Sequence, residues 1–157
     1  MQKITPFLWF DDNAEEAVNL YVTTFASSRI LSVSRYPENV PERGGKVMVI
    51  SFELEGQTFT ALNGGPHFKF NESISLLVNC ESQREVDMLW ERLTENGGSP
   101  GRCGWLKDRF GLSWQIVPSA LSRMMSDPDP VKAGRVTQAM MAMNKIDLAG
   151  LLRAYEG

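Results

Sequence analysis

The sequence predicts an α+β fold made of two βαβββ modules followed by a short helical tail. Three observations carry this. Strand-length apolar runs alternate with segments of helical periodicity. The order strand, helix, three strands occurs twice, its second use one strand fainter. After Pro118 the pattern changes to short helices alone. The chain of 157 residues suits one domain, with module one at about residues 1–66, module two at about 67–118 and the tail at about 119–157.

Ile4 to Phe10 (ITPFLWF) is rich in aromatic and β-branched residues and reads as the first strand. Asp12, Asn13, Glu15 and Glu16 then supply cap and first-turn acids. Ala14, Ala17, Val18, Tyr21 and Phe25 recur at helical spacing and form one apolar face; Ser27 and Ser28 end the helix. Three strands follow. They are Ile30 to Arg35, Val47 to Leu54 and Gln57 to Asn63, the last two joined through the hairpin signal Glu55-Gly56.

The order then restarts. Ser73 to Asn79 (SISLLVN) reads as a strand, and Ser82 with Glu85 forms a capping box. Val86, Leu89, Trp90 and Leu93 repeat the helical face before Gly97-Gly98 stops it. Ser99 to Gly104 is a poor strand. Trp105 to Lys107 is a short one, and Leu112 to Val117 is stronger, closed by Pro118. A slide of 69 residues lays Ile4–Phe10 over Ser73–Asn79, Ala17 over Val86, Leu20 over Leu89 and Tyr21 over Trp90. Identities are few, so the evidence for a repeat is element order and helix phase.

The tail reads as three helices: Ser119 to Met125, Pro130 to Met143 and Asp147 to Tyr155. Asp127-Pro128-Asp129-Pro130 breaks one helix and starts the next. Val136, Ala139, Met140 and Met143 form one stripe; Leu148, Leu151, Leu152 and Tyr155 form another. Five of the eight methionines lie between Met124 and Met143. Unbranched thioethers suit irregular cores and adaptable interfaces alike. The stripes therefore cover the domain's own sheet, build a subunit contact, or do both.

Composition narrows the function classes. Apolar residues make up 43% and charged residues 22%, which are globular values. The formal charge of -3 argues against a basic nucleic-acid footprint. No apolar run nears the roughly 20 residues that span a bilayer, and Met1-Gln2-Lys3 leads into a strand rather than a signal peptide. The expectation is a soluble cytoplasmic protein without nucleic-acid or membrane partners. Cys80 and Cys103 form no C-x-x-C pair, and His67 is the single histidine. Within one chain, a centre built on two or three histidines cannot form.

The motif F-x-D-N-A-E-E-A at Phe10–Ala17 resembles the vicinal-oxygen-chelate superfamily of glyoxalase I, bleomycin-resistance proteins and extradiol dioxygenases. Leu62-Asn63-Gly64-Gly65-Pro66-x-Phe68-x-Phe70, the run Cys103 to Gln115, Met140-Met141-Ala142-Met143 and Lys145-Ile146-Asp147 resemble its PhnB-like branch, sometimes labelled 3-demethylubiquinone-9 3-methyltransferase. The resemblance implies a curved sheet around a cavity, usually in a homodimer. Metal-dependent members place histidine or glutamate at four facing strand positions. Here these fall on Thr5 or Pro6, Ser73 or Ser75, Ala61 to Asn63, and Gln115. None is a strong ligand for a divalent ion, so no metal is expected. No G-x-G-x-x-G follows a predicted strand and opens a helix, so the methyltransferase label finds no place for S-adenosylmethionine, and no cofactor is expected.

Alternation places Thr5, Phe7 and Trp9 on one strand face and Ser113, Gln115 and Val117 on another. With Trp105 and Phe70 they line a cavity for a small organic ligand, or the tryptophans are core aromatics. Asn63-Gly64-Gly65 is a turn that needs positive φ, or a place where Asn63 orients a ligand. His67 is an exposed loop residue or an acid–base. Cys103, near Lys107, is a buried small hydrophobe or a nucleophile. Lys107 and Asp108 form an ion pair at a hairpin, and Asp108-x-x-Gly111 reads as a turn.

Three functions fit. The first, which we favour, is a metal-independent binding protein for a partly aromatic or apolar small molecule, with ligand contacts from Trp9, Asn63, Phe70, Trp105 and Gln115. The second is an enzyme acting through Cys103, His67 or Gln115, with a divalent-metal-dependent lyase, isomerase or dioxygenase as its variant. The third is an interaction module that docks a partner through the methionine-rich tail.

Overall fold

Strand β1 (Phe7–Phe10) buries Leu8 and Phe10 and leaves Phe7 59% exposed, the alternation that a strand with one covered face imposes. It leads into α1 (Ala14–Thr24), whose Ala14, Ala17, Val18, Leu20 and Tyr21 are all buried. β2 (Ser28–Arg35), β3 (Val47–Leu54) and β4 (Gln57–Asn63) complete a four-stranded mixed sheet of order β1-β4-β3-β2. β1 runs parallel to β4 in the register Phe7↔Thr60 to Phe10↔Asn63, and the other pairs are antiparallel. The structure, a computed structural model, describes residues 2–157. It divides into two units, one ending at Phe70 and one spanning Asn71–Gly157.

The second unit repeats the topology. β5 (Leu76–Cys80), α2 (Gln83–Thr94), β6 (Ser99–Pro100), β7 (Trp105–Lys107) and β8 (Ser113–Pro118) form a sheet of order β5-β8-β7-β6, again with one parallel pair, β5 with β8. β6 is two residues long, the faint strand of the sequence pattern. The helices start 69 residues apart, at Ala14 and Gln83, the slide read from sequence, and bury Ala17 and Val86, Leu20 and Leu89 alike. The strands end 70 residues apart, at Phe10 and Cys80, and their burial matches at that offset, Phe7 with exposed Leu77 and Phe10 with buried Cys80. The reason is the link: Asp11, Asp12 and Asn13 join β1 to α1, whereas only Glu81 and Ser82 join β5 to α2. In a strand, a one-residue slip exchanges faces. β5 also starts later than its sequence suggests, because the Asn71 side chain accepts from the amide and hydroxyl of Ser73 and holds that segment in a turn.

Three helices, α3 (Ser119–Met125), α4 (Pro130–Met141) and α5 (Leu148–Glu156), complete the second unit. Their stripes meet one another and the end of β8. Val117, Leu121, Met124, Val136, Ile146 and Leu151 are buried together, with Met140, Met143 and Tyr155 packed at the edge. Each such side chain contributes about 1.5–3 kcal/mol when taken from water. Met125 and Met141 stay exposed. The Gln83 amide ties α2 to this layer by donating to Ile146 O and accepting from Leu148 N.

The tail is latched at its end. Tyr155 donates its hydroxyl to Asp127 Oδ2 at 2.5 Å, and Lys132 lies 5.0 Å from the Tyr155 ring. The bond holds the Asp127 carboxyl below its usual pKa and the Tyr155 phenol above its own. A lowered carboxyl pKa gives stability that is present above the unfolded value of about 3.9 and fades as pH falls. A raised phenol pKa gives stability that is present below about 10 and fades as pH rises. Thermal melts of wild type and Tyr155→Phe should therefore differ most between these limits and converge outside them. A pH-independent difference would reject the latch.

Candidate functional site

Each sheet has one face covered by its own helix, α1 on β2, β3 and β4, and α2 on β5, β7 and β8. The opposite face carries Trp9 in the first unit and Trp105 and Gln115 in the second, whereas Asn63 ends β4 on the face covered by α1. In the first unit, register aligns Trp9 with Leu62 and Val49, Phe7 with Thr60 and Ser51, and Thr58 with Glu53. Glu53 is held by Arg29 at 3.6 Å.

Trp9 is fixed by the segment after β4. Its Nε1–H donates to Gly65 O at 2.9 Å, and Phe68 meets it edge-on with centroids 4.9 Å apart. A Cβ on Gly64 would stand 2.4 Å from the indole, so glycine there answers a close approach of side chain to backbone. Phe70 makes a similar edge contact with Phe10 at 5.2 Å. His67 lies exposed between these anchors.

Asn63 is 8% exposed, and its amide bonds to the chain itself. Oδ1 accepts from Ala14 N at 2.9 Å and Nδ2 donates to Val47 O at 3.1 Å. The first amide of α1 is thus capped from the end of β4, whereas the Asn13 side chain makes no cap bond. A distant asparagine takes the role that the sequence assigns to the acids before the helix.

In the second unit, Leu77, Gln115 and Trp105 stand side by side across β5, β8 and β7. Gln115 Nε2 donates to Ser75 Oγ at 2.8 Å, leaving its carbonyl oxygen as an acceptor beside Trp105. One row away, Lys107 aligns with Ser113. Lys107 pairs with Glu72 rather than with Asp108 as the sequence suggested. Asp108 is buried beneath Trp114 and bonds its indole N–H. Ser113 is 1% exposed, and its hydroxyl is the one buried side-chain polar atom without a partner among the described residues. Val117 lies under the tail instead of lining this face.

Cys103 sits in a turn with φ 57°, half-buried, and its amide donates to Met143 O at 2.9 Å. Cys80 is fully buried, and burial pushes its thiol up to about 12, which leaves it protonated at neutral pH. The structure thus gathers Trp9, Asn63, His67 and Phe70 around one end of the first sheet and places Trp105 and Gln115 in one row of the second. Sequence reasoning placed Ser75 among the four facing positions but did not pair it with Gln115, whose amide it accepts from.

Two mixed four-stranded sheets of matching topology, with helices on one face of each and a helical C-terminal layer, are the glyoxalase-like fold. Among solved structures, the fosfomycin resistance protein FosX from Mesorhizobium loti shares this fold at 12% identity and TM-score 0.57, over 81% of this chain and all of its own. Protein PA1353 from Pseudomonas aeruginosa shares it at 22% identity and TM-score 0.64, over 75% of this chain and 98% of its own. The PhnB protein from Bacillus cereus is 38% identical, with TM-score 0.69, over 75% of this chain and all of its own. Residues 2–117 match the family described as 3-demethylubiquinone-9 3-methyltransferase. The chain belongs to that PhnB-like family. No curated protein matches it.

The divalent metal of metal-dependent vicinal-oxygen-chelate proteins does not fit these residues. Ser75 and Gln115, two of the four positions in question, are neutral and bond each other, and Asn63 spends its amide on Ala14 and Val47. Among the described residues, no three of His, Cys, Asp and Glu converge. S-adenosylmethionine, implied by the family's description, does not fit a nucleotide cradle either. Both strand-to-helix turns, Asp11 to Asn13 and Glu81 to Ser82, lack glycine. Among the described residues, no helix is long and apolar enough to cross a membrane.

Proposed function

We propose that this protein binds a small, partly aromatic or apolar organic molecule without a metal, as a cytoplasmic homodimer. Each unit offers its own contacts, Trp9 and Phe70 in the first and Trp105 and Gln115 in the second; Asn63 serves the first by fixing the segment that holds Trp9. The supporting observation is the row Leu77–Gln115–Trp105, which sets one neutral amide between an indole and an aliphatic side chain. Such a surface suits a flat apolar group that offers one hydrogen-bond donor. The edge strand β2 supports the dimer, since Ile30, Leu31 and Val33 are 41–49% exposed on it.

Native mass spectrometry of the purified chain should show two subunits and any retained small molecule. Titration with anilinonaphthalene sulfonate as the probe should saturate and should not change with EDTA. Trp105→Ala should weaken binding by about tenfold or more, the loss of one large buried aromatic contact. Binding abolished by EDTA, or binding of unchanged strength in Trp105→Ala, would sink the reading.

A further inference from the structure

Where β1, β2 and β4 end, the first unit holds a cleft of about 600 Å3. None of Trp9, Phe70, Trp105 and Gln115 lines it. Its lining is split by charge. Asp11, Asp12 and Glu15 come from the end of β1 and the first turn of α1; Arg35, Arg43 and Lys46 come from the end of β2 and the loop before β3, with Glu42 beside them. Among the described residues, none of these side chains is ion-paired with another.

Arg43 is built into its place. Nη1 donates to the Tyr36 hydroxyl at 3.1 Å, Nη2 donates to Gly64 O at 3.2 Å, and the guanidinium lies 5.6 Å from the Tyr36 ring. Tyr36 in turn donates to Asn63 O at 2.6 Å. A Cβ on Gly65, at φ +93°, would come within 2.2 Å of Arg43 Nη2, so that glycine keeps room for the cation. Two of the five guanidinium N–H donors are used in these bonds. Arg35 is likewise steadied by a bond from Nη1 to Gly45 O at 3.1 Å. Ordering a long cationic side chain costs rotamer entropy, and here the cost is met at the wall of an open cleft.

We propose that this cleft is a separate binding site for a small zwitterion of the amino-acid or dipeptide class. The carboxylate sits against Arg43 and Lys46, a geometry that guanidinium favours. The ammonium faces Asp11, Asp12 and Glu15. A ligand with both charges satisfies both walls, and a singly charged one leaves one wall unmatched.

The test is a 15N NMR titration of the full chain with glycylglycine, against N-acetylglycine and glycinamide as singly charged controls. Glycylglycine should give saturable shifts at the amides of Asp12, Glu15, Lys46 and Gly65, and each control should bind about tenfold more weakly or worse. Asp12→Asn with Glu15→Gln, both exposed and neither taking part in the Arg43 bonds, should keep the thermal midpoint and lose the preference for glycylglycine over N-acetylglycine. Arg43→Met tests the opposite wall and should lose binding of N-acetylglycine. The proposal fails if no shift saturates, if N-acetylglycine binds as tightly as the dipeptide, or if the shifts lie outside this cleft.

Discussion

Asp108→Ala should lower the unfolding free energy by about 3–5 kcal/mol, measured by urea denaturation. Asp108 is 2% exposed and its carboxylate bonds across the β7–β8 hairpin. Its Oδ1 accepts from Phe110 N at 2.9 Å and Leu112 N at 3.1 Å, and its Oδ2 from Trp114 Nε1 at 2.9 Å. Its own amide and carbonyl close the same turn with Leu112 and Gly111. Truncation removes all three side-chain bonds. Leu112 and Trp114 are each 2% exposed, so water cannot replace the lost acceptor for two of the donors. Each stranded donor costs about 1–3 kcal/mol. Phe110 is half-exposed and is rescued by solvent. Asp108→Asn keeps the shape and at least one acceptor, so it should lose about half as much. Trp114→Phe should show strong coupling to Asp108→Ala in a double-mutant cycle. An Asp108→Ala protein as stable as wild type would refute this account of the hairpin.

What the sequence disclosed follows the range of the forces involved. Glu55-Gly56 announced the β3–β4 hairpin because a type I′ turn needs positive φ at both central positions, which glycine supplies readily, and the structure has +47° and +85°. Ser82 was legible because capping is local, and its hydroxyl accepts from Glu85 N at 3.2 Å. The returning Glu85 carboxylate reaches Glu81 N instead of the cap residue, a detail of loop path that spacing does not encode. Periodicity also gave the helical faces, since burial repeats with the backbone. Bonds between distant segments left no such mark. Lys107 finds Glu72 across the second unit, and Asp108 looked like a turn former because its indole partner becomes a neighbour only when β7 folds on β8. For the candidate site, strand alternation put Gln115 on the open face of β8, and hairpin register then placed Trp105 beside it. The strand slip between the modules was hidden by a link shorter by one residue. The cleft near Arg43 gave no motif, because its charges come from three separate stretches of chain, residues 11–15, 35 and 42–46.

Asn63→Ala should cost about 2–4 kcal/mol in the ligand-free protein, for a reason that separates scaffolding from recognition. The residue joins three elements. It caps α1 through Ala14 N, closes the start of β3 through Val47 O, and stands opposite Phe10 in the parallel β1–β4 pair. Ala14 is 0% exposed and Val47 4%, so alanine at 63 leaves a buried amide and a buried carbonyl without these bonds. The cap alone is worth about 1 kcal/mol, and the stranded carbonyl adds about as much or more. Loosening the end of β4 also frees the Gly64–Gly65 segment on which Trp9 rests. Tryptophan emission should therefore shift to the red before global unfolding. Asn63→Leu should be no better than alanine, because added apolar volume supplies neither donor nor acceptor. If Asn63 acted only by orienting a ligand, both substitutions would leave ligand-free stability and emission unchanged and alter affinity alone. The bonds to Ala14 and Val47 require the opposite order of effects: stability falls first, and weakened binding follows from the displaced Trp9.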